Sequence, residues 1–572
     1  MTARDARIAE ARAAEADDPE RALALWIAAA AEGGPVEPDQ TGWDQRPGVL
    51  TPFRRQGPLP EDFEAWVRGA DACALVALVD DISRLTDFRV GFRLRRALAD
   101  CRRSDAVTAF VQVYLEMALN WRAQAYRTAL YAACRALDLA TSCPGLDDCA
   151  GPGPVFEAQS IRMRAALVLG ESVEDFSSEI EARRPLAVAR ASLIGRWKRS
   201  PEEGRALAAR LAMTDDPPPA SEVLAVWLKA SGGDAEAGLA VARGLMLRRR
   251  ERGNAAPPEL CLAGAALAHR LGALQTRAAW IAAYFDHSRL ETPTWPPDDV
   301  RFDAIKAPPA DARDDGPKVS VAMSTFNAAG TVEQAIRSLL AQSHRNLEIL
   351  AVDDASSDGS VAILHRLAAE DARVRVFETR VNAGTYVARN RALQAATGDY
   401  FTCLDADDWA HPRRLQRHVG VMERDDRLVA TRSNWFRMAE DGEPAIRRSL
   451  GVFTHANPAS PFYRTEVVRE TIGYYDRVRI DGDLEHWLRL TTRFGLRQTA
   501  RLRLPLTIGR LHARSLTQSG AGAQDEEAYS PIRSEYRAAA LAWRERALAT
   551  RSLIVGIDAA NRPFPAPEAM LP

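Results

Sequence analysis

Four clusters of polar residues, each placed directly after a short apolar run, mark residues 319–410 of this 572-residue chain. After VSVAM stand Ser324, Thr325, Phe326 and Asn327, and after LEILAV come Asp353 and Asp354, then Ser356, Ser357, Asp358, Gly359 and Ser360. VRVFET leads to Arg380, Asn382 and Gly384, followed by Ala388-Arg389-Asn390, and YFTCL leads to Asp405-Ala406-Asp407-Asp408. The D-x-D spacing has the plainest chemistry. In extended backbone, residues i and i+2 point to the same side, so Asp405 and Asp407 can aim two carboxylates at one hard cation, Mg²⁺ or Mn²⁺. A cation held there bridges a diphosphate and neutralises charge developing on a leaving group. Helix capping is the competing role for such acids. It suits Asp408, because Pro412 follows in the first turn of the next predicted helix, and it suits Ser360 in the Asp358-Gly359-Ser360 turn. Arg389 lies on a predicted helix facing the same rim, where it meets a phosphate or Asp407, or forms a plain surface ion pair.

The elements that must hold these groups alternate. VSVAMS, LEILAV, VRVFET and YFTCL read as strands, and TVEQAIRSLLAQ, SVAILHRLAAE and TYVARNRALQAA read as helices between them. Strands and helices alternating with short turns predict a mainly parallel, Rossmann-like α/β sheet covered by helices. Ligands bind such sheets at the carboxyl ends of the strands, which is where all four clusters fall. Thr325, Asn327, Asp353, Asp354, Asn382, Arg389 and Asp405 are therefore candidates for one continuous binding rim.

EILAVDDASSDGS, N-x-G-x3-ARN, GDYFTCLDADDW and the later DGDLEHWLRL, in this order, resemble the signature series of the family 2 glycosyltransferases. The resemblance covers about 200 residues and implies a GT-A fold over 318–520. It implies an inverting transfer of a sugar from a nucleotide-sugar donor, with UDP leading among the bases, to an acceptor hydroxyl. Thr325, Asn327, Asp353, Asp354, Asn382, Arg389 and Asp405 then bind the donor nucleotide, with the Asp353–Asp354 pair reading base or ribose. Asp405 and Asp407 hold Mn²⁺ or Mg²⁺. Asp483 falls on the family's general base, with Gly482 in place of the usual preceding Glu, and Asp481 is the rival base. Arg510-Leu511-His512-Ala513-Arg514-Ser515 resembles the segment that closes over the donor, making His512 a further metal or diphosphate contact, against a purely structural role. Phe462, Tyr463 and Trp487 either line the acceptor cleft or pack in the core. The acceptor is a glycan, a lipid-linked glycan or a protein, in surface polysaccharide or glycoconjugate synthesis. The rival readings are a nucleotidyltransferase, which wants a basic residue after the first strand where STFNAAG has none, and an inactive nucleotide-sugar-binding scaffold.

Residues 1–290 differ in kind. They are rich in Ala, Leu and Arg, with apolar residues recurring at three and four, as in PERALALWIAAAAE and TRAAWIAAYFDH. That period predicts an all-helical region, a tetratricopeptide-like α-solenoid with a loop over 33–60, whose concave face is a place for a protein partner. A Pro- and Asp-rich stretch, 291–317, reads as a linker, and 521–572 as a C-terminal helix with a Pro-rich tail. On this reading residues 1–290 are separable from the chemistry, and a fragment beginning near Asp311 keeps donor binding. The formal net charge of −2 argues against a nucleic-acid binder. Seven Cys fit reduced thiols, Cys143 and Cys149 alone make a poor zinc site, and no apolar run reaches the ~18–20 residues of a membrane span. The expected location is cytoplasmic, with at most peripheral association at the inner face of the membrane.

Overall fold

The computed structural model describes residues 88–100, 106–123, 125–141, 234–251, 257–313, 315–446, 452–512, 530–550, 552–557 and 562–572, with isolated positions between them. The predicted loop at 33–60, the Cys143–Cys149 pair and most of the predicted solenoid lie outside the described residues. In chain order the helices are α1 (Phe88–Asp100), α2 (Ala106–Arg122), α3 (Tyr126–Thr141), α4 (Ala235–Glu251), α5 (Pro258–Arg270) and α6 (Leu274–His287). The α/β part follows: β1 (Val319–Thr325), α7 (Val332–Leu340), β2 (Leu347–Asp353), α8 (Ser360–Glu370), β3 (Val374–Glu378), α9 (Thr385–Ala395), β4 (Tyr400–Cys403), β5 (Trp409–Ala410) and α10 (Arg414–Met422). It continues with β6 (Ala430–Ala439), β7 (Pro444–Ala445), β8 (His455–Ala456), β9 (Phe462–Arg464), α11 (Thr465–Thr471), α12 (Gly482–Phe494), β10 (Thr499–Leu511) and α13 (Pro531–Thr550). Among the described residues no helix is long and apolar enough to cross a membrane.

The strands form one mixed sheet in the order β3-β2-β1-β4-β9-β6-β10-β5. β2, β3 and β4 join β1 in a parallel block, β9 runs antiparallel between β4 and β6, and β6 and β10 pair in parallel. The chain builds outward from β1 to β3 and then returns to the other side of β1 as β4. This reversal opens a crevice beyond the carboxyl ends of β1 and β4.

Strand alternation divides the core. Val319, Val321 and Met323 of β1, with Leu347, Ile349 and Ala351 of β2, pack under α7 and α8, while Ala322, Leu350 and Val352 face α9. A one-residue slip would exchange these two sets, so the register is fixed. β1 and β2 are buried almost throughout, as expected of strands covered on both faces.

The packing crosses the expected boundary at 291–317. Leu260, Trp280, Tyr284 and Phe285 of α5 and α6 share a core with Trp409, Phe436, Met438, Phe453, Leu506 and Ile508 of the sheet. Arg277 donates to the Gly442 carbonyl at 2.8 Å, and the Glu259 carboxylate accepts the Phe453 and Thr454 N–H groups at 2.5 and 3.0 Å. The Pro- and Asp-rich stretch is itself fastened down. Glu291 pairs with Arg413, Thr294 bridges Lys306, and Phe302 accepts the Gln334 side-chain amide at its carbonyl and donates its N–H to the Glu440 carbonyl. A cut at Asp311 would therefore strip Trp280, Tyr284 and Phe285 from the β5–β6–β10 end of the sheet, each worth about 1.5–3 kcal/mol when buried. Against a typical stability of about 5–15 kcal/mol that loss is disabling. A fragment starting at Asp234 should melt cooperatively near the full chain, whereas one starting at Asp311 should be insoluble or lack a cooperative transition in calorimetry. Equal melting of the two would show that α5 and α6 add nothing to the α/β core.

Candidate active site

The rim left of the crevice is built by residues that hold one another. Asn327, at a positive φ of 48°, accepts the Ser357 N–H at 2.9 Å through its side chain and donates its own N–H to the Ser356 hydroxyl at 2.9 Å. Asp353 takes the Ser356 hydroxyl at 2.6 Å and the Ser356 N–H at 2.8 Å, one carboxylate oxygen each. Asp358 caps α8 by accepting the Ser360 N–H at 2.9 Å, and the Ser360 hydroxyl accepts from Ala328. Asp354 accepts the Gly384 and Ala383 N–H groups at 2.6 and 3.0 Å, placing an anion at the N-terminus of α9 where the helix dipole favours it. Gly384 has a φ of 90°, which a side chain would strain. Both acids are buried, and the acceptor positions expected to read a nucleoside are engaged within the chain. Asn382 is likewise held, its side-chain oxygen 2.6 Å from the Arg479 guanidinium. The Thr325 hydroxyl is buried at the end of β1 with no hydrogen-bond partner.

On the other side of β1, the chain leaving β4 presents the acidic cluster. Arg389, buried on α9, pairs with Asp405 at 2.5 Å, so of its expected partners it meets neither a surface carboxylate nor Asp407. The Asp407 carboxylate faces the His512 imidazole, Oδ2 to Nε2 at 3.0 Å, where the proton's position depends on the tautomer. Asp408 accepts the Arg510 N–H at 3.1 Å, and its second oxygen is buried without a partner. It faces inward rather than capping α10. Arg510 also donates to the Asp407 carbonyl at 3.2 Å and to Gln334 at 2.9 Å, pairs with Asp303, and lies over the Phe302 ring at 4.3 Å. The predicted linker thus reaches the site. Crowding is visible in the protonation energetics. Burial, then Asp407 and Asp483 against the counter-charge of Arg389, raise the Asp405 carboxyl above its ordinary 3.8. Burial, Asp407 and Asp405 push Asp408 well above that value. Such a pocket of mutually destabilised carboxylates fits a divalent cation, with Asp407 and His512 offering oxygen and nitrogen donors side by side. Elsewhere among the described residues, His269, Asp441 and Glu443 also bring three ligand atoms within 4.8 Å, but Arg270 already pairs with Glu443 there.

The side expected to face the acceptor lies at the start of α12. Asp483 Oδ1 receives the Tyr386 hydroxyl and the Leu484 N–H, both at 2.8 Å. The Tyr386 ring lies so close over Gly482 that a Cβ at 482 would come within 2.7 Å of it. Glycine in place of the family's Glu is thus what admits the phenol to Asp483. Asp481 takes a different part. It is buried in a left-handed turn (φ 66°), paired with Arg537 at 2.5 Å and with Arg533, both on α13. Against the upward push of burial, Arg537 and Arg533 hold its carboxyl below the ordinary value. Phe462 and Tyr463 are fully buried: Phe462 stacks on His418, and the Tyr463 hydroxyl meets His486 at 3.0 Å. They belong to the core, not to a cleft.

Sequence reading missed Tyr386, Asp303, Gln334, Arg533, Arg537 and Arg437, whose charge acts on Asp408. The three arginines and Asp303 lie in segments with no motif, and only the tertiary fold brings them in. Tyr386 had a legible signal, an aromatic in the first turn of the helix that carries Arg389.

Residues 320–477 match Glycosyl transferase family 2. Two proteins of Bacillus subtilis (strain 168), whose names carry the qualifier putative, are similar. Glycosyltransferase EpsE is 32% identical over 188 residues, 30% of this chain and 66% of its own length. Teichuronic acid biosynthesis glycosyltransferase TuaG is 37% identical over 158 residues, 27% of this chain and 60% of its own length. The chain therefore spans under two thirds of either relative. The crystal structure of S. aureus TarS 1-349 in complex with UDP aligns over 34% of this chain and 61% of that one, at 18% identity and a TM-score of 0.29.

Proposed function

From the premise that residues 320–477 are a family 2 glycosyltransferase domain, we propose that this chain is a metal-dependent, inverting GT-A glycosyltransferase. It moves a sugar from a nucleoside-diphosphate sugar, a UDP-sugar foremost, to an acceptor hydroxyl in polysaccharide or glycoconjugate synthesis. The observation that carries the reading is the convergence of Asp405, Asp407 and Asp483. Asp405 and Asp407 follow β4 in one turn and Asp483 stands at the start of α12, yet the charges of Asp407 and Asp483 both act on the Asp405 carboxyl. Asp407 and His512 would hold the divalent ion, with Asp405 beside them, and a bound ion would neutralise the diphosphate leaving group. Arg389 fixes Asp405, and Arg510 anchors the Asp407 backbone and Asp408 under the crevice floor. Thr325, Asn327, Asp353, Asp354 and Asn382 shape the nucleoside side, Asp353 and Asp354 by stiffening its loops.

Asp483 is the general base. Its Oδ1 is held by Tyr386 and Leu484, which leaves Oδ2 to take the proton of the acceptor hydroxyl. Burial, with the Asp483 charge beside it, pushes the Tyr386 phenol well above its ordinary value, so it remains a donor. Attack from the face opposite the leaving group inverts the anomeric centre.

A thermal-shift panel of UDP-, GDP- and dTDP-sugars, each with and without Mn²⁺, tests this. The donor should raise the melting temperature only with metal, by the mass-action stabilisation of about 2.7 kcal/mol expected at a hundredfold excess over its Kd. A metal-dependent shift without any hydrolysis of the donor would favour the inactive-scaffold reading, and no shift with any sugar would remove the proposal.

A further inference from the structure

Next to the proposed base lies a positive patch that the donor chemistry does not use. Arg432 on β6 places its guanidinium 4.0 Å above the ring of Trp487. Trp487 follows Asp483 by four residues on α12, so the two share one helix face. Arg432 is also within electrostatic reach of Asp483. In the parallel pairing of β6 with β10, its register partner is Arg501. Like charges opposite each other across strands are unfavourable unless something offsets them. Arg501 spends its donors on the neutral side-chain oxygen of Asn434, at 3.0 and 2.8 Å. Among the described residues neither arginine forms an ion pair with a carboxylate, and the buried Arg432 Nε has no hydrogen-bond partner. Burial, followed by the charge of Arg501, lowers Arg432 to about 10. A guanidinium withdrawn from water without an anion is costly, and its planar fork suits a carboxylate or phosphate.

We propose that Arg432, stacked on Trp487 and flanked by Arg501, is the acceptor subsite for an anionic group next to the hydroxyl that Asp483 deprotonates. The acceptor is then an acidic glycan, carrying either a sugar carboxylate or a phosphodiester. This rests on the glycosyltransferase reading and adds its substrate class. Cation–π stacking alone would hold the Arg432 side chain in place, but it does not answer the second positive charge of Arg501.

The test uses the full chain and three small probes: methyl β-D-glucuronide, glycerol 3-phosphate, and methyl β-D-glucoside as neutral control. Binding is followed by saturation-transfer NMR, with the wild type also tested for Mn²⁺-dependent nucleotide-sugar binding. At least one acidic probe should bind about tenfold more tightly than the glucoside, weakening as salt is raised. Which of the two does so identifies carboxylate or phosphate as the natural group. Arg432→Gln should bring that probe to the level of the glucoside, and Arg432→Lys should keep part of the preference. Arg501→Gln should reduce it, and this variant with the salt series decides the matter if Arg432→Gln does not fold. A wild type that binds donor but treats all three probes alike overturns the subsite while leaving the glycosyltransferase reading intact. So does an Arg432→Gln protein that weakens all three equally. A wild type without metal-dependent donor binding removes the underlying reading instead.

Discussion

Asp407→Ala should lose metal-dependent nucleoside-diphosphate binding entirely while keeping its fold. Asp407 is part exposed, its carboxylate faces the part-exposed His512, and truncating it leaves no buried charge unpaired. Its removal should even relieve Asp408 and Asp405, both of which it pushes upward. The sign follows from linkage. A carboxyl whose native pKa lies above the unfolded value holds its proton longer in the folded state, so the native state loses stability as pH rises from about 3.8 through the raised value. The variant should therefore melt at or above the wild-type temperature at neutral pH without metal. A divalent ion relieves the same repulsion, so Mn²⁺ should stabilise the wild type more at pH 7 than near pH 4, where protons compete, and should leave the variant unmoved. Calorimetry with and without Mn²⁺ at both pH values reads this directly. If the variant still binds UDP with undiminished metal dependence, the ion is held elsewhere, and the trio His269, Asp441 and Glu443 becomes the place to look.

How far the sequence could be read depended on how local each determinant is. The β–α alternation and the strand ends were legible because period-2 burial and short turns are written within a few residues, and β1 and β2 pair in the register their apolar residues demand. The D-x-D pair does stand directly after β4, but in a turn rather than in extended backbone, with Asp405 paired to Arg389 and Asp407 to His512. Asp353 and Asp354 were harder. Their type and position suggested ligand contact, yet Asp354 is engaged with backbone N–H groups 29 and 30 residues away, a partnership no local pattern displays. Pro and Asp over 291–317 spoke against a continuous helix, and the described part of the stretch holds a 3-10 turn at Phe302–Ala304 and isolated bridges. They carried no information on packing, and the stretch is a strap tied to Arg413, Gln334 and Arg510. Helical period at 258–287 announced an apolar stripe without naming its partner, which is the sheet.

The largest kinetic effect should come from Asp483→Asn. The amide keeps the size of the carboxylate and can still accept the Tyr386 hydroxyl and Leu484 N–H, so α12 should start as before. It cannot take a proton. Turnover should therefore fall by the ~10²–10⁴ typical of a lost general base, with donor affinity nearly unchanged and the acidic limb of the kcat/KM profile flattened. Asp481→Asn separates base from framework. Asp481 is buried against Arg533 and Arg537, and breaking one side of a buried ion pair costs about 3–5 kcal/mol. Because its native pKa is depressed, that stabilisation is present above the unfolded carboxyl value and disappears as pH falls through the native one. The two variants should thus fail in different instruments. Asp483→Asn should melt like the wild type and barely turn over, whereas Asp481→Asn should melt much earlier at neutral pH, with the gap closing in acid. Stopped assays at a temperature where both remain folded make the comparison fair. Should Asp483→Asn turn over normally there, the base lies outside the start of α12. The Tyr386–Asp483 hydrogen bond would then be a device for closing α9 onto α12 rather than for orienting a proton acceptor.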